Sequence, residues 1–489
     1  MRRNLTISTA LSLLAFGLPA LTQPVPRDTV SKLEKLIPDL MKKADVPGVS
    51  IALIEEARIV WVGSFGVKNV DTLEPVDERT VFEVASISKP VFALAVLKLV
   101  EEGKLDLDTP LSKHIPSYIE SDDRVNTITA RMVLSHRTGF PNWRQGGSPL
   151  KIYFQPGERF SYSGEGFLYL QRVVEQITGL PLKEFVRQRV FESLGMADSS
   201  YVWQDRYEYQ HAVGYQESGP TPPYKPIESG SPLPPYRGPS SASSLHSTAR
   251  DIAKFAVALM NGANLKPDTL RQMLSPQASV DAGCSNCIGK PVTEPLKSVF
   301  WGLGIGLAET PHGRFFYHGG DNDGFHSYLA ASSETKRGVV VLTNHDRGTM
   351  ILREIVNVAT GEVWPPFESR NYSEHVESYD SPRMQLDRRI LEKGVDEALK
   401  QYAAGPALSE SQMDQLGRQL LGQKKYREAI RILELNVAAC PQSGGALLSL
   451  AEAYETAGRH LPLECVRKSL ELNPNSSRAI GMLKQLEAR

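Results

Sequence analysis

The sequence predicts an α+β fold, in which one antiparallel sheet carries a helical insertion and an all-α region follows. Three observations indicate this. Paired β-branched runs occur near both ends of the first two thirds of the chain, at 49–54 with 59–62 and at 325–330 with 339–342. Helical stretches and Pro/Gly/Ser-rich loops lie between those pairs. After residue 366, helix-forming residues dominate.

Length and composition exclude several classes of protein. At 489 residues the chain is long enough for two or three domains. Its 41% hydrophobic and 23% charged residues are typical of a folded soluble protein and exclude disorder and a multi-span membrane protein. The 55 basic and 56 acidic residues give a net charge of -1, so nucleic acid is not expected as a partner.

The N-terminus is typical of a secretory signal peptide. Arg2 and Arg3 precede an apolar run at 11–21, and small residues lie near a cleavage point after Thr22. We expect residues 1–22 to be removed, leaving a periplasmic or secreted protein without a transmembrane span. A retained N-terminal anchor is the alternative, although the run is short for a membrane span.

The elements of the main domain, expected at 23–365, follow in order. The runs 49–54 and 59–62 are separated by four polar or small residues and predict a hairpin. The stretch 91–102 predicts a helix that ends at Gly103. A long loop is expected at 218–244, and the second hairpin at 325–342 has a polar turn.

A repeat of about 34 residues follows a helical linker expected at 366–405. The packing positions of a first tetratricopeptide-like unit and those of a second unit are occupied, and we predict such repeats at 406–489. These residues are Leu416, Gly417, Ala429, Leu433 and Pro441, then Leu450, Ala451, Tyr454, Gly458 and Pro474. We expect the helices at 383–402 to complete the stack, and the repeats either to bind a protein or peptide or to cover a face of the main domain.

The four cysteines lie in the later half of the chain. Cys284 and Cys287 are separated by two residues, with no second pair at zinc-finger spacing, so we expect a local disulfide or two free thiols rather than a metal site. Cys440 and Cys465 are left open. No residue cluster calls for a metal or an organic cofactor.

Chemistry is indicated by a Ser-x-x-Lys tetrad. The chain has three such tetrads, starting at Ser86, Ser148 and Ser333. Only Ser86 lies between a strand-like run and a long apolar helix, which places its hydroxyl at a helix N-terminus with Lys89 one turn on. A nearby cation can hold a base in its anionic form and so activate a serine hydroxyl. In the alternative interpretation, Ser86 caps the helix and Lys89 is solvated.

Four segments together indicate a family. They are Phe82-Glu-Val-Ala-Ser-Ile-Ser-Lys89, Leu134-Ser-His-Arg-Thr-Gly139, Tyr162-Ser-Gly164 and His318-Gly-Gly320. In order and spacing, over about residues 32–344, they resemble the serine β-lactamase and penicillin-binding protein superfamily. The resemblance is strongest to the branch of class C β-lactamases, D-alanyl-D-alanine carboxypeptidases and family VIII esterases.

The resemblance implies a role for each of these residues. Ser86 would be the acylated nucleophile, Lys89 its electrostatic partner, and Tyr162 the general base and acid, with a phenol pKa depressed by Lys89. His318-Gly319-Gly320 would form an edge strand beside the nucleophile. The backbone N–H of Asp321 would be an oxyanion donor. His136 is expected to be structural, and Trp301 to be mostly core.

Two departures from the family pattern affect substrate recognition. None of the 17 tyrosines begins a Tyr-x-Asn, because Gly164 stands at the asparagine position. His318 and Gly319 stand where efficient β-lactamases have lysine and threonine, which weakens the grip on a substrate carboxylate. We therefore expect a serine hydrolase of esters or amides with at best weak β-lactamase activity.

Two alternatives to an esterase stay open from the sequence. One is a D-alanyl-D-alanine carboxypeptidase or D-aminopeptidase. The other is a non-catalytic, penicillin-binding-like sensor or scaffold that acts through its repeats.

Overall fold

The computed structural model describes residues 27–487 apart from 117, 120, 145–147, 217–218, 221–237, 369–376, 403–407, 460–461 and 475. The expected leader at 1–22 and most of the loop at 218–244 lie outside the described residues. The remaining elements form a sheet with helices on both faces, followed by a helical region. None of the described helices is both long and apolar enough to cross a membrane.

The central sheet has nine strands in the described part of the chain, and every described pairing between neighbours is antiparallel. Its order along the sheet is β3-β2-β1-β13-β12-β11-β10-β9-β8. The strands are β1 Gly48–Glu55, β2 Arg58–Asn69, β3 Glu74–Pro75, β8 Ala278–Asp281, β9 Pro295–Trp301, β10 Gly306–Thr310, β11 Gly313–Asn322, β12 Phe325–Ala331 and β13 Gly338–Thr343. Both predicted hairpins form, as β1–β2 and β12–β13.

Strand β1 shows why the sheet is covered on both faces. Every residue of it is buried. Alternate side chains of a strand point to opposite faces, and here Ile51 and Leu53 enter one core while Ala52 and Ile54 enter the other. A strand with apolar residues on both sides is stable only between two layers of helix.

The two layers are built from different helices. Helices α1 and α10 pack on one face, while α2, α8 and the helical insertion supply the other. The helices of this domain are α1 Arg27–Ala44, α2 Ser88–Glu101, α3 Ala130–Leu134, α4 Gly164–Thr178, α5 Leu182–Val186, α6 Glu192–Leu194, α7 Tyr207–Gln210, α8 Ala249–Met260, α9 Pro267–Met273, α10 Thr349–Thr360 and α11 Pro365–Glu368. Two short ribbons complete it: β4 Phe82–Ala85 with β7 Leu245–Ser247, and β5 Tyr215–Gln216 with β6 Gly219–Pro220.

The described C-terminal residues are helical, as the fold prediction requires. The helices are α12 Pro382–Lys393, α13 Val395–Tyr402, α14 Glu410–Gly422, α15 Tyr426–Ala439, α16 Gly444–Thr456, α17 Pro462–Leu472 and α18 Ser477–Glu487. A Cβ at Gly417 would lie 2.4 Å from the Leu433 side chain, so this glycine lets α14 and α15 pack closely. Residues of α12 and α13 share one core with α14 and α15. The assignment of these helices to tetratricopeptide repeats, and the boundaries at 365 and 405, stay predictions.

A buried polar network joins the two regions. Arg347, just before α10, forms an ion pair of 3.1 Å with Asp387 on α12, and both side chains are almost fully buried. Gln419 on α14 donates to the same carboxylate oxygen at 2.7 Å. The helical region is therefore fixed to the sheet domain through a charged contact rather than through apolar packing alone.

Candidate active site

Ser86 lies in a sharp turn between β4 and α2. The residue before it, Ala85, has a φ of +47°, a left-handed conformation that is uncommon for a residue other than glycine. The Ser88 hydroxyl holds this turn by donating to the Ala85 carbonyl at 2.5 Å and accepting from the Leu245 N–H at 2.9 Å. Helix α2 begins after Ile87 without a side-chain cap, so the alternative in which Ser86 is the capping residue is wrong. Ser86 itself is partly exposed.

Lys89 is fully buried beneath Ser86. Its Nζ donates to Ser86 Oγ at 3.1 Å and to the carbonyl of Ala242 at 2.7 Å. Three aromatic rings surround the amine, with centroids 4.7 to 6.0 Å from Nζ: those of Tyr162, Phe167 and Trp143. This burial lowers the pKa of Lys89 to about 7. The alternative of a solvated Lys89 is therefore wrong as well.

Tyr162 completes the cluster, because its ring centroid lies 4.7 Å from Lys89 Nζ. Desolvation raises the pKa of the phenol well above 10, and the Ser86 hydroxyl only partly offsets this rise. The expectation of a phenol pKa depressed by Lys89 is therefore wrong. The physical reason is that the low-dielectric pocket disfavours the phenolate and also reduces the charge on the lysine that would have stabilised it.

His136 packs against the ring of Tyr162. The two rings stack with centroids 4.2 Å apart. The His136 Nδ1 accepts from the Ser163 N–H at 3.0 Å, and burial lowers the pKa of this imidazole well below 6.5, so it stays neutral. His136 thus lies against the site and positions the tyrosine. Trp301 is nearly buried and packs edge-on to Tyr162 with centroids 5.7 Å apart.

The His318-Gly319-Gly320 segment lies on β11, next to the strand that leads to Ser86. A Cβ at Gly320 would lie 2.3 Å from the Val84 carbonyl oxygen, so only glycine allows this approach. The strand is internal to the sheet rather than an edge, since β10 and β12 flank it. The described pairing with β10 ends at Tyr317, which leaves His318 to Asp321 paired with β12 alone. The edge-strand expectation thus holds only for this second half.

The side chains of this segment differ in exposure. His318 is buried, and its Nδ1–H donates to the Gly319 carbonyl at 2.6 Å. Burial, and to a smaller extent Lys89, lowers the pKa of His318 to about 3, so the ring is neutral near pH 7. The ring lies 6.1 Å from that of Tyr162. The Asp321 side chain is exposed, and its carboxylate contributes to the raised pKa of the Tyr162 phenol.

The Cys284–Cys287 loop contacts the tyrosine segment directly. The two cysteines form a disulfide, which decides between the alternatives left by the sequence. The Ser285 carbonyl accepts from the Tyr162 N–H at 2.8 Å, and the Cys287 N–H donates to Ser161 Oγ at 3.1 Å. These bonds join the loop to the segment that carries the phenol.

In the described part of the chain, this loop and the end of β8 bring together three residues whose side chains are of types that can ligate a metal. Asp281, Cys284 and Cys287 have ligand atoms within 4.8 Å of one another. The two sulfurs are bonded to each other, and the Asp281 carboxylate accepts from the backbone of Gly283 and Thr293. These groups are therefore committed to holding the loop.

Several residues that shape the site leave no signal in the sequence. Trp143 lies against Gly164, Ala242 accepts from Lys89, and Ser285 holds Tyr162. Ala242 and Lys89 are 153 positions apart, and no local pattern links them. For Trp143, the sequence does carry one sign: Gly164 stands where the family has asparagine, which leaves space for another side chain.

Comparison with known proteins agrees with this geometry. A family model described as Beta-lactamase matches residues 33–356. Protein flp of Staphylococcus aureus (strain MW2) is 24% identical over 336 residues, which cover 65% of this chain and 63% of that protein. Putative beta-lactamase-like 1 of Homo sapiens is 29% identical over 285 residues, 52% of this chain and 54% of that protein. The chain thus spans less than two thirds of the length of these relatives.

Solved structures show the same fold. A class C beta-lactamase superposes with a TM-score of 0.58 at 17% identity, covering 68% of this chain and 96% of that one. The octameric penicillin-binding protein homologue from Pyrococcus abyssi superposes with a TM-score of 0.55 at 23% identity, covering 74% and 82%. The predicted α+β fold with an all-helical C-terminal region is confirmed. The chain belongs to the beta-lactamase family, within the superfamily of serine β-lactamases and penicillin-binding proteins.

Proposed function

We propose that this protein is a serine hydrolase that cleaves esters through an acyl-enzyme on Ser86. One observation carries the proposal: the amine of Lys89 lies 3.1 Å from Ser86 Oγ, and the ring centroid of Tyr162 lies 4.7 Å from the same amine. A nucleophile within hydrogen-bond reach of a base is the arrangement that covalent catalysis requires. Ser86 is partly exposed, so a substrate carbonyl can approach it.

The protonation states of Lys89 and Tyr162 near pH 7 assign the base and the acid. Near pH 7 about half of the Lys89 side chains are neutral, since the pKa is about 7. A neutral Lys89 accepts the Ser86 proton as Oγ bonds to the ester carbonyl carbon. Tyr162, a neutral phenol, donates its proton to the departing alkoxide and is reprotonated from Lys89, so the alcohol leaves and the acyl group stays on Ser86. Water then attacks the acyl-enzyme through the same groups in reverse.

The oxyanion formed in each step needs hydrogen-bond donors. We assign this role to the backbone N–H groups of Ser86 and Asp321, on the two segments that Gly320 brings into contact. Donors fixed in advance stabilise the developing charge without reorganisation.

The recognition residues favour esters over D-alanyl peptides. A peptide that ends in a carboxylate needs a cation in the site, but His318 is neutral near pH 7 because its pKa is about 3. Gly164 offers no side-chain amide to a substrate amide bond. For the same two reasons we propose that β-lactams are poor substrates.

The test combines active-site labelling with a substrate panel. A fluorophosphonate probe should label the purified protein, and Ser86→Ala should abolish both labelling and hydrolysis of p-nitrophenyl acetate. The matched control is Ser333→Ala, which alters another Ser-x-x-Lys tetrad, in the turn between β12 and β13. Faster turnover of D-alanyl-D-alanine peptides than of esters would favour the peptidase. The absence of any Ser86-dependent adduct would favour the scaffold.

Two further proposals concern the cell and the partner. We propose that the protein works in the periplasm or outside the cell, supported by the expected leader at 1–22 and by the Cys284–Cys287 disulfide, which is typical of oxidising compartments. We also propose that the C-terminal helices bind a protein or peptide, since stacked helix pairs build extended binding surfaces. Export can be tested by N-terminal sequencing of the secreted protein.

A further inference from the structure

We propose that Trp143 forms an aromatic subsite for the acyl group, so that the preferred substrates are esters whose acyl part carries an aromatic ring rather than an amide. This inference rests on the proposed esterase activity of Ser86 and names the substrate class of that same site. It follows from the space around Gly164, from the bonds that fix the neighbours of Trp143, and from the position of the indole near the amine of Lys89.

The indole occupies the space that a side chain at position 164 would need. A Cβ built on Gly164 would lie 2.6, 2.8 and 2.9 Å from three ring carbons of Trp143. Carbon atoms in contact are normally about 3.5 to 4.0 Å apart, so no larger residue fits here without moving the ring. The indole of Trp143 therefore fills the space beside Gly164 in which the family's asparagine side chain would lie.

The residues on both sides of Trp143 are fastened to the start of α4. The backbone and side-chain oxygens of Asn142 both accept from the Gly164 N–H at 3.0 Å. Arg144 makes two charged hydrogen bonds, of 2.9 and 2.6 Å, to the nearly buried carboxylate of Glu165. Bidentate pairs of this kind fix geometry as well as charge. The tryptophan is therefore held at a defined position rather than on a free loop.

The indole also lies near the buried amine of the site. Its ring centroid is 6.0 Å from Lys89 Nζ, the same amine that donates to Ser86 Oγ. The residue is 36% exposed, so part of it faces solvent, and Ser86 is itself partly exposed. A planar apolar group attached near the ester carbonyl can stack on such a surface.

The chemistry of this surface selects against amides. An indole face provides dispersion and π contacts, whereas a substrate amide placed on it would lose hydrogen bonds to water without replacing them. An acetyl group has no ring that could stack on the indole. The geometry thus predicts preference for an arylacetyl group over both an acetyl group and an acylamido group.

Three p-nitrophenyl esters test the proposal on the full chain: the phenylacetate, the acetate and the N-acetylglycinate. We expect the wild-type kcat/KM for the phenylacetate to exceed that for each of the other two by at least about tenfold, the discrimination that apolar pocket contacts provide. In Trp143→Ala the phenylacetate-to-acetate ratio should fall about tenfold. The control Tyr209→Ala removes an 81% exposed aromatic elsewhere and should keep the wild-type ratio.

A second variant covers a failure of Trp143→Ala to fold. Gly164→Ala forces the ring away without removing it, and it should lower the same ratio. The subsite is refuted if wild-type protein shows no preference for the phenylacetate, or if folded Trp143→Ala or Gly164→Ala keeps the wild-type ratio. Failure of the esterase proposal itself looks different: hydrolysis of all three esters would then survive Ser86→Ala.

Discussion

The burial of Lys89 makes the pH dependence of acylation the sharpest test of the catalytic assignment. A lysine with a pKa of about 7 is protonated below that pH and neutral above it. If the neutral amine is the base, its active fraction rises from about one tenth at pH 6 to about nine tenths at pH 8. The kcat/KM for an ester should therefore increase about tenfold over this range and level off above it.

The assay is the initial rate of p-nitrophenyl acetate hydrolysis at low substrate concentration from pH 5.5 to 9.0, corrected for spontaneous hydrolysis. In Lys89→Met, kcat/KM should fall about 10²- to 10⁴-fold. The rise of kcat/KM with a midpoint near pH 7 should also disappear. The matched control is Lys98→Met on the same helix. Lys98 also has a pKa lowered by burial, but its amine donates to the Arg189 carbonyl away from the site.

Tyr162→Phe separates the two candidate bases. If Lys89 accepts the serine proton, this variant should turn over more slowly while its kcat/KM keeps the midpoint near pH 7. A wild-type profile that is flat between pH 6 and 8, or one that still rises about tenfold per pH unit at pH 9 as the ordinary lysine pKa of 10.5 requires, would refute the reasoning from burial. Loss of the pH 7 limb in Tyr162→Phe would return the role of base to the phenol.

Three other predictions concern contacts that hold the site, or the helical region, in place. Replacing Cys284 and Cys287 by serine, or reducing their disulfide, should lower kcat about tenfold by loosening the tyrosine segment, and unchanged kcat would contradict this. Asp387→Ala leaves the buried Arg347 without this carboxylate and should lower the free energy of urea unfolding by about 3 to 5 kcal/mol; a loss below about 1 kcal/mol would show that the pair is not buried. Gly320→Ala should reduce ester hydrolysis about 10²-fold while circular dichroism shows a folded protein, and full activity would exclude the close strand contact.

Much of the fold could be predicted because its signals are local. The two hairpins were visible as β-branched runs with polar turns, and Gly103, with a φ of +71°, follows α2 as expected. Lys89 lies three residues after Ser86, so the single turn that leads into α2 brings the two side chains together. Tyr162 comes from a distant segment, and only the resemblance to a family placed it with them.

The remaining features depend on contacts between segments that are far apart in the chain. The Ala242 carbonyl that binds Lys89, the Ser285 carbonyl that binds Tyr162 and the Arg347–Asp387 pair leave no periodic trace in sequence. The raised pKa of Tyr162 differs from the expectation for a related reason. It depends on how completely the surrounding chain excludes water, which no motif records.

The pKa shifts of Lys89 and Tyr162 have one cause and together fix the direction of proton flow. An apolar pocket disfavours every charged form, so it favours a neutral amine beside a neutral phenol over an ammonium beside a phenolate. In that state only the amine can accept the serine proton and only the phenol can donate one. The aromatic cage that includes Trp143 is part of this pocket, because its ring lies 6.0 Å from the amine. Opening the cage with Trp143→Ala should therefore raise the pKa of Lys89, seen as a kcat/KM midpoint above pH 7, as well as change substrate choice, so that specificity and working pH would be coupled in the proposed hydrolase.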